Sequence, residues 1–167
     1  MPFYLTRPNL VLNGGFEEGL AGWTNVSNVG LEGRPNSHEG LAAAAMGKPN
    51  NTLTALMQQD VPICPRRFYR LILYVAGLLV APADLTIDLR WLDTTGTDLG
   101  TALEGPSPVL VPAVTIGAAA TGAYRAIVIY TAQAPSTAVA ARIILSKAPG
   151  AEGNLVLVDD VLLEQQG

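Results

Sequence analysis

Lysine is nearly missing from this chain of 167 residues: Lys48 and Lys147 are the only two, and 10 Lys+Arg face 14 Asp+Glu for a formal net charge of -4. Phosphate backbones are held by clustered Lys and Arg, so a nucleic-acid partner is excluded. A single cysteine, Cys64, excludes an internal disulfide and thiolate metal clusters and reads as a buried or half-buried small hydrophobe. The single histidine, His38, lies in a loop rich in Gly, Pro and Asn without a partner nearby in the chain, which reads as a solvated loop residue. Long apolar runs are also missing. The longest, Leu71 to Asp84, is broken by Gly77 and Pro82 and falls short of the roughly 18 residues a spanning helix requires, so no membrane insertion is expected. The opening MPFYLTRPNLVLNGG has no basic segment followed by an apolar one, and no signal peptide is read there.

Charge is scarce as well, at 14% against the roughly 25% of an average domain, while hydrophobic residues reach 49%. Much apolar surface must be covered, and a homo-oligomer is expected. The length suits one domain over 1–167, with residues 1–8 as an extended N-terminal arm.

Seventeen glycines and 12 prolines, with no long 3.6-periodic apolar stretch, leave little room for helices. The chain reads as all-β. Strands are expected at Leu10–Asn13, Leu41–Gly47, Thr52–Val61, Phe68–Val80, Asp84–Leu92, Pro108–Ile116, Ala123–Ala132, Thr137–Ser146 and Asn154–Glu164, each bounded by turn-forming residues. Nine strands fit a two-sheet antiparallel β-sandwich. Leu85, Ile87, Leu89 and Trp91 alternate with Thr86, Asp88 and Arg90, the signature of a strand with one buried face. The alanine run Ala42–Ala45 is followed too soon by Gly47 and Pro49 to be a helix. Around Tyr124–Tyr130 both faces are apolar, so something covers the second.

Three stretches occur in a telling order: NLVLNGGFEEGLAGWT from Asn9, LTALMQQDVPICPRRFYRLILYVAG from Leu53, and NLVLVDDVLLEQ from Asn154. Together they resemble the opening, middle and closing strands of the calcium-containing jelly-roll carbohydrate-binding modules, the galactose-binding-like domains of bacterial xylanases, glucanases and surface proteins. The resemblance implies a noncatalytic jelly-roll module that recognises a glycan on one sheet face, at the cell surface or outside the cell. It also implies a structural calcium ion between first and last strands, nominating Glu17, Asp159 and Asp160 as ligands, with carbonyls from Ser37-His38-Glu39-Gly40. If Leu157 and Val161 face the core, Asp159 points inward with them and needs a metal or hydrogen bonds. The alternative leaves Glu17 solvated and Asp159 accepting backbone N–H bonds.

Sugars stack on aromatics and bond to planar polar side chains. Trp91 and Trp23 read as core, which leaves Tyr74 as the aromatic platform, opposite in parity to Leu71, Leu73 and Val75. With Asp88, Arg90 and Arg142 it would form a cleft for a sugar or an acidic glycan; the alternative is that these charges pair across strands. The tryptophan usual before the family's late strand is replaced here by Ala123-Tyr124. No catalytic residue is nominated, because no nucleophile elbow, phosphate loop, dinucleotide fingerprint or zinc-protease motif occurs. A second reading is an assembly module of a surface, spore or virion structure. It would bury an apolar face carrying Ile72, Ile127, Ile129 and Ile144 between subunits.

Overall fold

The computed structural model describes residues 7–78, 83–116, 123–151 and 155–167. In chain order its strands are β1 (Thr24–Ser27), β2 (Val29–Gly33), β3 (Ala42–Met46), β4 (Ala55–Pro62), β5 (Tyr69–Gly77), β6 (Leu85–Leu92), β7 (Asp98–Thr101) and β8 (Val109–Val111), then the one-turn helix α1 (Ala113–Ile116), then β9 (Arg125–Tyr130), β10 (Ala140–Lys147) and β11 (Val156–Gln165). They form two antiparallel sheets. A six-stranded sheet runs β1-β4-β10-β6-β7 with β8 also on β6, and a five-stranded sheet runs β2-β3-β11-β5-β9.

Period-2 alternation builds the core. Leu71, Leu73 and Val75 of β5 and Val156, Val158, Val161 and Leu163 of β11 face Ile87, Leu89 and Trp91 of β6 and Ile143 and Leu145 of β10, and all are buried in one cluster. Tyr69 meets Trp91 edge-on, ring centroids 6.0 Å apart, while its hydroxyl donates to the Cys64 carbonyl at 2.9 Å. The inward row of β10 ends on Lys147, which is 1% exposed; its Nζ donates to the carbonyls of Asn51, Leu53 and Ala148 at 2.9–3.0 Å, and burial lowers its pKa. The alanine run is strand β3, small enough for close approach of its neighbours β2 and β11.

Several expectations are corrected. Residues 10–13 are turn rather than strand. They are held by side chains instead of a ladder: Gln59, buried at 3%, accepts from Leu12 N and donates to Leu12 O. Asn9 likewise accepts from Leu163 N and donates to Val161 O. The expected strand at 108–116 is only β8, because Pro112 ends it and Asp84 Oδ1 accepts from Ala113 N at 2.7 Å to start α1. Strands β1, β2 and β7 are additional to the expected nine. Cys64 is exposed rather than buried. The four isoleucines do not share a face: Ile129 is core, Ile127 packs against it, Ile144 lies on the outside of the six-stranded sheet and Ile72 on the outside of the other. The apolar face expected between subunits is therefore not formed by this set. Parts of the expected arm, strand ends and closing strand, at 1–6, 79–80 and 154, lie outside the described residues. No helix among the described residues is long and apolar enough to cross a membrane.

Ile143 lies on β10, the middle strand of the six-stranded sheet, with no exposed surface. Ile143→Ala is expected to cost about 2–5 kcal/mol, read as a lower urea midpoint; a loss under about 1 kcal/mol would mean that the two sheets are not packed through this strand.

Candidate functional site

On the outer face of the five-stranded sheet, β5 presents Arg70, Ile72 and Tyr74. Beside it, β11 pairs in register until Asp159 opposite Tyr74, then shifts before Leu162 pairs with Ile72. The irregularity is a bulge at Asp160, whose φ of 47° is a left-handed value. The extra residue keeps Asp159 on the outer side with Leu157 while returning Val161 to the core. Leu157 belongs to a small outer cluster with Ala45 and Ala76, against which Leu78 and Tyr124 pack. Asp159 thus points away from the sandwich core, contrary to the expectation from strict alternation. It is nevertheless 0% exposed, because the segment joining β2 to β3 lies over it.

That segment is fastened by carboxylates. Asp159 Oδ2 accepts from His38 N at 2.8 Å and more weakly from Glu39 N at 3.4 Å, while Oδ1 accepts from Asp160 N at 2.8 Å. Glu17 Oε1 accepts from Leu41 N at 2.8 Å and Ala42 N at 3.1 Å. Between these anchors Gly40 has φ 59°, and a Cβ there would collide with the Glu17 carboxylate, so glycine is required. Asp160 Oδ2 meets His38 Nδ1 at 2.6 Å. An ionised carboxylate only accepts, so Nδ1 carries the proton toward Asp160, and Nε2 has no partner among the described residues. The His38 ring stacks on Tyr74, centroids 4.0 Å apart and planes 17° from parallel, and Tyr124 meets it edge-on at 5.2 Å. Tyr124 is itself fixed by donating to the Asn36 carbonyl at 2.6 Å.

These groups border a cavity of about 330 Å³ lined by Asn9, His38, Glu39, Ile72, Tyr74, Asp160 and Leu162, among others. Its surroundings are acidic. Burial, and then the nearby charges of Asp159, Asp160 and Glu32, push the Tyr124 phenol upward. Burial likewise raises Asp159 to about 6, with the Asp160 charge adding and the N–H bonds only partly offsetting it.

The residues nominated from sequence separate. Tyr74 is in this site, but Asp88, Arg90 and Arg142 lie on the outer face of the other sheet, so the four do not form one cleft. Those three are already engaged: across strands, Arg142 clamps Asp60 with two bonds of 2.7 and 2.8 Å and Arg90 pairs with Asp98 at 3.0 Å, while Asp88 accepts from Ser107 in the loop before β8 at 2.9 Å. Glu17, Asp159 and Asp160 do approach the same segment, yet they meet its N–H groups and the histidine ring rather than its carbonyls. The Gly40 carbonyl already accepts from Arg34 Nε at 2.7 Å. Calcium asks for six to eight oxygens turned toward one point, and among the described residues no group of three or more His, Cys, Asp or Glu side chains does this. His38, read as solvated, is instead half-buried and central; its partner Asp160 is 122 positions away, beyond any local pattern.

No protein-family model and no curated protein matches the chain. Solved structures do. The enzymatically active domain of bacteriophage CBA120 tailspike protein 4 is similar over 95% of this chain with TM-score 0.72 and 17% identity. This chain spans only 21% of that one. TmCBM61, solved in complex with β-1,4-galactotriose, is similar over 95% of this chain and 99% of its own, with TM-score 0.63 and 20% identity. The fold is the carbohydrate-binding-module jelly roll. A Stig cyclase, Fisc from Fischerella sp. TAU, shares it over 96% of both chains with TM-score 0.59 and 16% identity. The same sandwich thus hosts binding and catalytic proteins, and function is argued from side chains.

Asp159 generates a pH dependence. Its folded pKa of about 6 lies above the unfolded value near 4, so the native state holds the proton more tightly. The stability this confers is complete below about pH 4 and is lost as pH rises through about 6, a difference of ~3 kcal/mol. In urea unfolding at pH 4 to 7.5, the stability of the wild type relative to Asp159→Asn should fall as pH rises; parallel profiles would contradict the assignment.

Proposed function

We propose that the chain is a noncatalytic carbohydrate-binding module whose ligand sits on the outer face of the five-stranded sheet, against Tyr74 and His38. The observation that carries this reading is the fixed His38–Tyr74 stack, tied down by Asp160, at the wall of a cavity of sugar size. A pyranose ring laid on Ile72 and Leu162 would turn its hydroxyls toward the His38 Nε2, the Tyr74 phenol and the carboxylates of Glu39 and Asp160. This pairing of apolar floor and polar wall is what a sugar needs. Among the lining residues there is no Lys or Arg, which favours a neutral glycan over an acidic one. The resolved complex of TmCBM61 with β-1,4-galactotriose supports neutral β-linked oligosaccharides as first ligands to try.

Catalysis is disfavoured by the same geometry. The main-chain N–H groups of His38 and Glu39, which could have stabilised a developing oxyanion, are turned onto Asp159, and no Ser, Thr or Cys hydroxyl or thiol lines the cavity. Oligomerisation through the isoleucine face has lost its basis, as those residues divide between core and opposite surfaces.

Calorimetric titration with β-1,4-galactotriose and xylo-oligosaccharides is expected to detect binding that Tyr74→Ala weakens at least 10-fold, about 1.4 kcal/mol, while Arg142→Ala on the other sheet leaves it unchanged. Sensitivity to Arg142 and indifference to Tyr74 would move the site to the six-stranded sheet. The absence of binding to every glycan tried would overturn the reading.

We further infer that the 34–41 segment is held without a cation, since each candidate ligand already accepts N–H or ring bonds. The thermal midpoint should be the same in EDTA and in excess calcium. A calcium-dependent rise of several degrees would instead show the carboxylates reorganised around the ion, because a ligand selective for the native state stabilises it.

A further inference from the structure

Pairing register continues the Tyr74 site along its own sheet face. β9 pairs with β5 so that Ala126 stands beside Tyr74, Val128 beside Ile72 and Tyr130 beside Arg70, while Leu162 and Glu164 of β11 flank Ile72 and Arg70 on the other side. Paired residues share a face, so three rows cross the surface. The first holds Tyr74 with His38 above it. The second is apolar, running Leu162, Ile72, Val128. The third is Glu164, Arg70 and Tyr130, in which Arg70 and Glu164 form an ion pair and Tyr130 stands beside Arg70 on β9.

The far end of this face is open and shaped. Tyr130 is 51% exposed and Val128 46%. Both line a second cavity, of about 300 Å³, at the edge of β9, walled by Leu103, Glu104 and Pro106 and bordered also by the inward-facing Ile127 and Ile129. The wall of that cavity is fixed along β9, because Glu104 N donates to Tyr130 O at 3.2 Å and Ala132 N to Ala102 O at 2.9 Å. From Tyr74 to Arg70 is four residues of strand, about 13 Å, the length of roughly two to three linked pyranose rings.

We propose that Tyr130 and the Glu104–Pro106 wall form a second subsite, so that the ligand is a neutral linear oligosaccharide spanning both cavities across the Leu162–Ile72–Val128 strip. This rests on the binding function assigned to Tyr74 and His38. The observations favour a sugar chain because each end offers an aromatic ring beside polar groups, and the apolar strip between is one row wide. The carboxylates of Glu39, Asp160, Glu104 and Glu164 set against Arg70 alone disfavour an acidic chain.

Chain length tests the proposal. β-1,4-Galactobiose, -triose and -tetraose are titrated by calorimetry against the wild type, Tyr130→Ala, Tyr130→Phe and Tyr74→Ala, with light scattering of each variant. The expected result is a gain of at least 10-fold from disaccharide to tri- or tetrasaccharide in the wild type. Tyr130→Ala should abolish the gain with disaccharide affinity intact, and Tyr130→Phe should largely keep it. Tyr74-dependent binding with no length dependence would overturn the second subsite and leave the first standing. Loss of all binding in the wild type would overturn both. If Tyr130→Ala instead turns a dimer into a monomer at unchanged affinity, the face is an interface between copies and the proposal falls.

Discussion

The buried carboxylate of Asp159 is the constraint on which the candidate site depends. A carboxylate without exposed surface is costly unless it is fully hydrogen-bonded, and this one draws its donors from the main chain that lies over it. The bulge at Asp160 makes the arrangement possible. Strict alternation would send one of two adjacent aspartates into the sandwich core; the extra residue leaves Asp159 under the segment and Asp160 beside it, free to orient the His38 ring. Glu17 fastens the other end of the same segment by the same chemistry, and Gly40 supplies the backbone conformation that lets that carboxylate approach. Two acids on distant parts of the chain therefore convert a flat sheet face into a walled one.

The two outer faces of the sandwich spend their polar groups differently. On the six-stranded sheet, Arg142 with Asp60 and Arg90 with Asp98 satisfy one another across strands, each exposed pair contributing only roughly 0.2–1 kcal/mol to stability. A ligand there would have to displace bonds already made. On the five-stranded sheet the anchoring bonds run to main-chain N–H groups, from the buried Asp159 and the exposed Glu17, while His38 and Tyr74 border an open cavity. The difference is one of topology, since both faces carry charged and planar side chains.

How far the sequence could be read follows from what alternation encodes. Parity along Leu85–Trp91 and 71–75 correctly divides inward from outward residues, and with turn signals it yields an all-β sandwich. Parity cannot say which sheet a strand joins. It therefore groups Tyr74 and Arg142 on one face, although β5 pairs with β11 and β9 while β10 pairs with β4 and β6. Parity misdirects Asp159 for a related reason, as this bulge changes parity without a glycine or proline to mark it. The N-terminal 10–13 segment has strand-like residues, but Gln59 and Asn9 satisfy its backbone while Val11 packs into the core, an arrangement that no local rule registers. His38 is invisible as a site residue in the sequence because its stack and its acid lie on strands far along the chain.

The anchor also sets a relation between stability and readiness to bind. A ligand group that must be ordered on binding loses affinity to that ordering, whereas the His38 ring is already held on two sides, by the stack at 4.0 Å and the bond at 2.6 Å. Holding it there requires an aspartate that is driven toward its protonated form by burial, so near neutral pH the segment is fixed by a charge whose burial opposes folding. Replacing Asp159 by an apolar residue would relieve that opposition but leave the N–H groups of His38 and Glu39 without acceptors, and the ring above Tyr74 without its support. Stability is given up at one buried carboxylate, and what it secures is a fixed geometry at the surface.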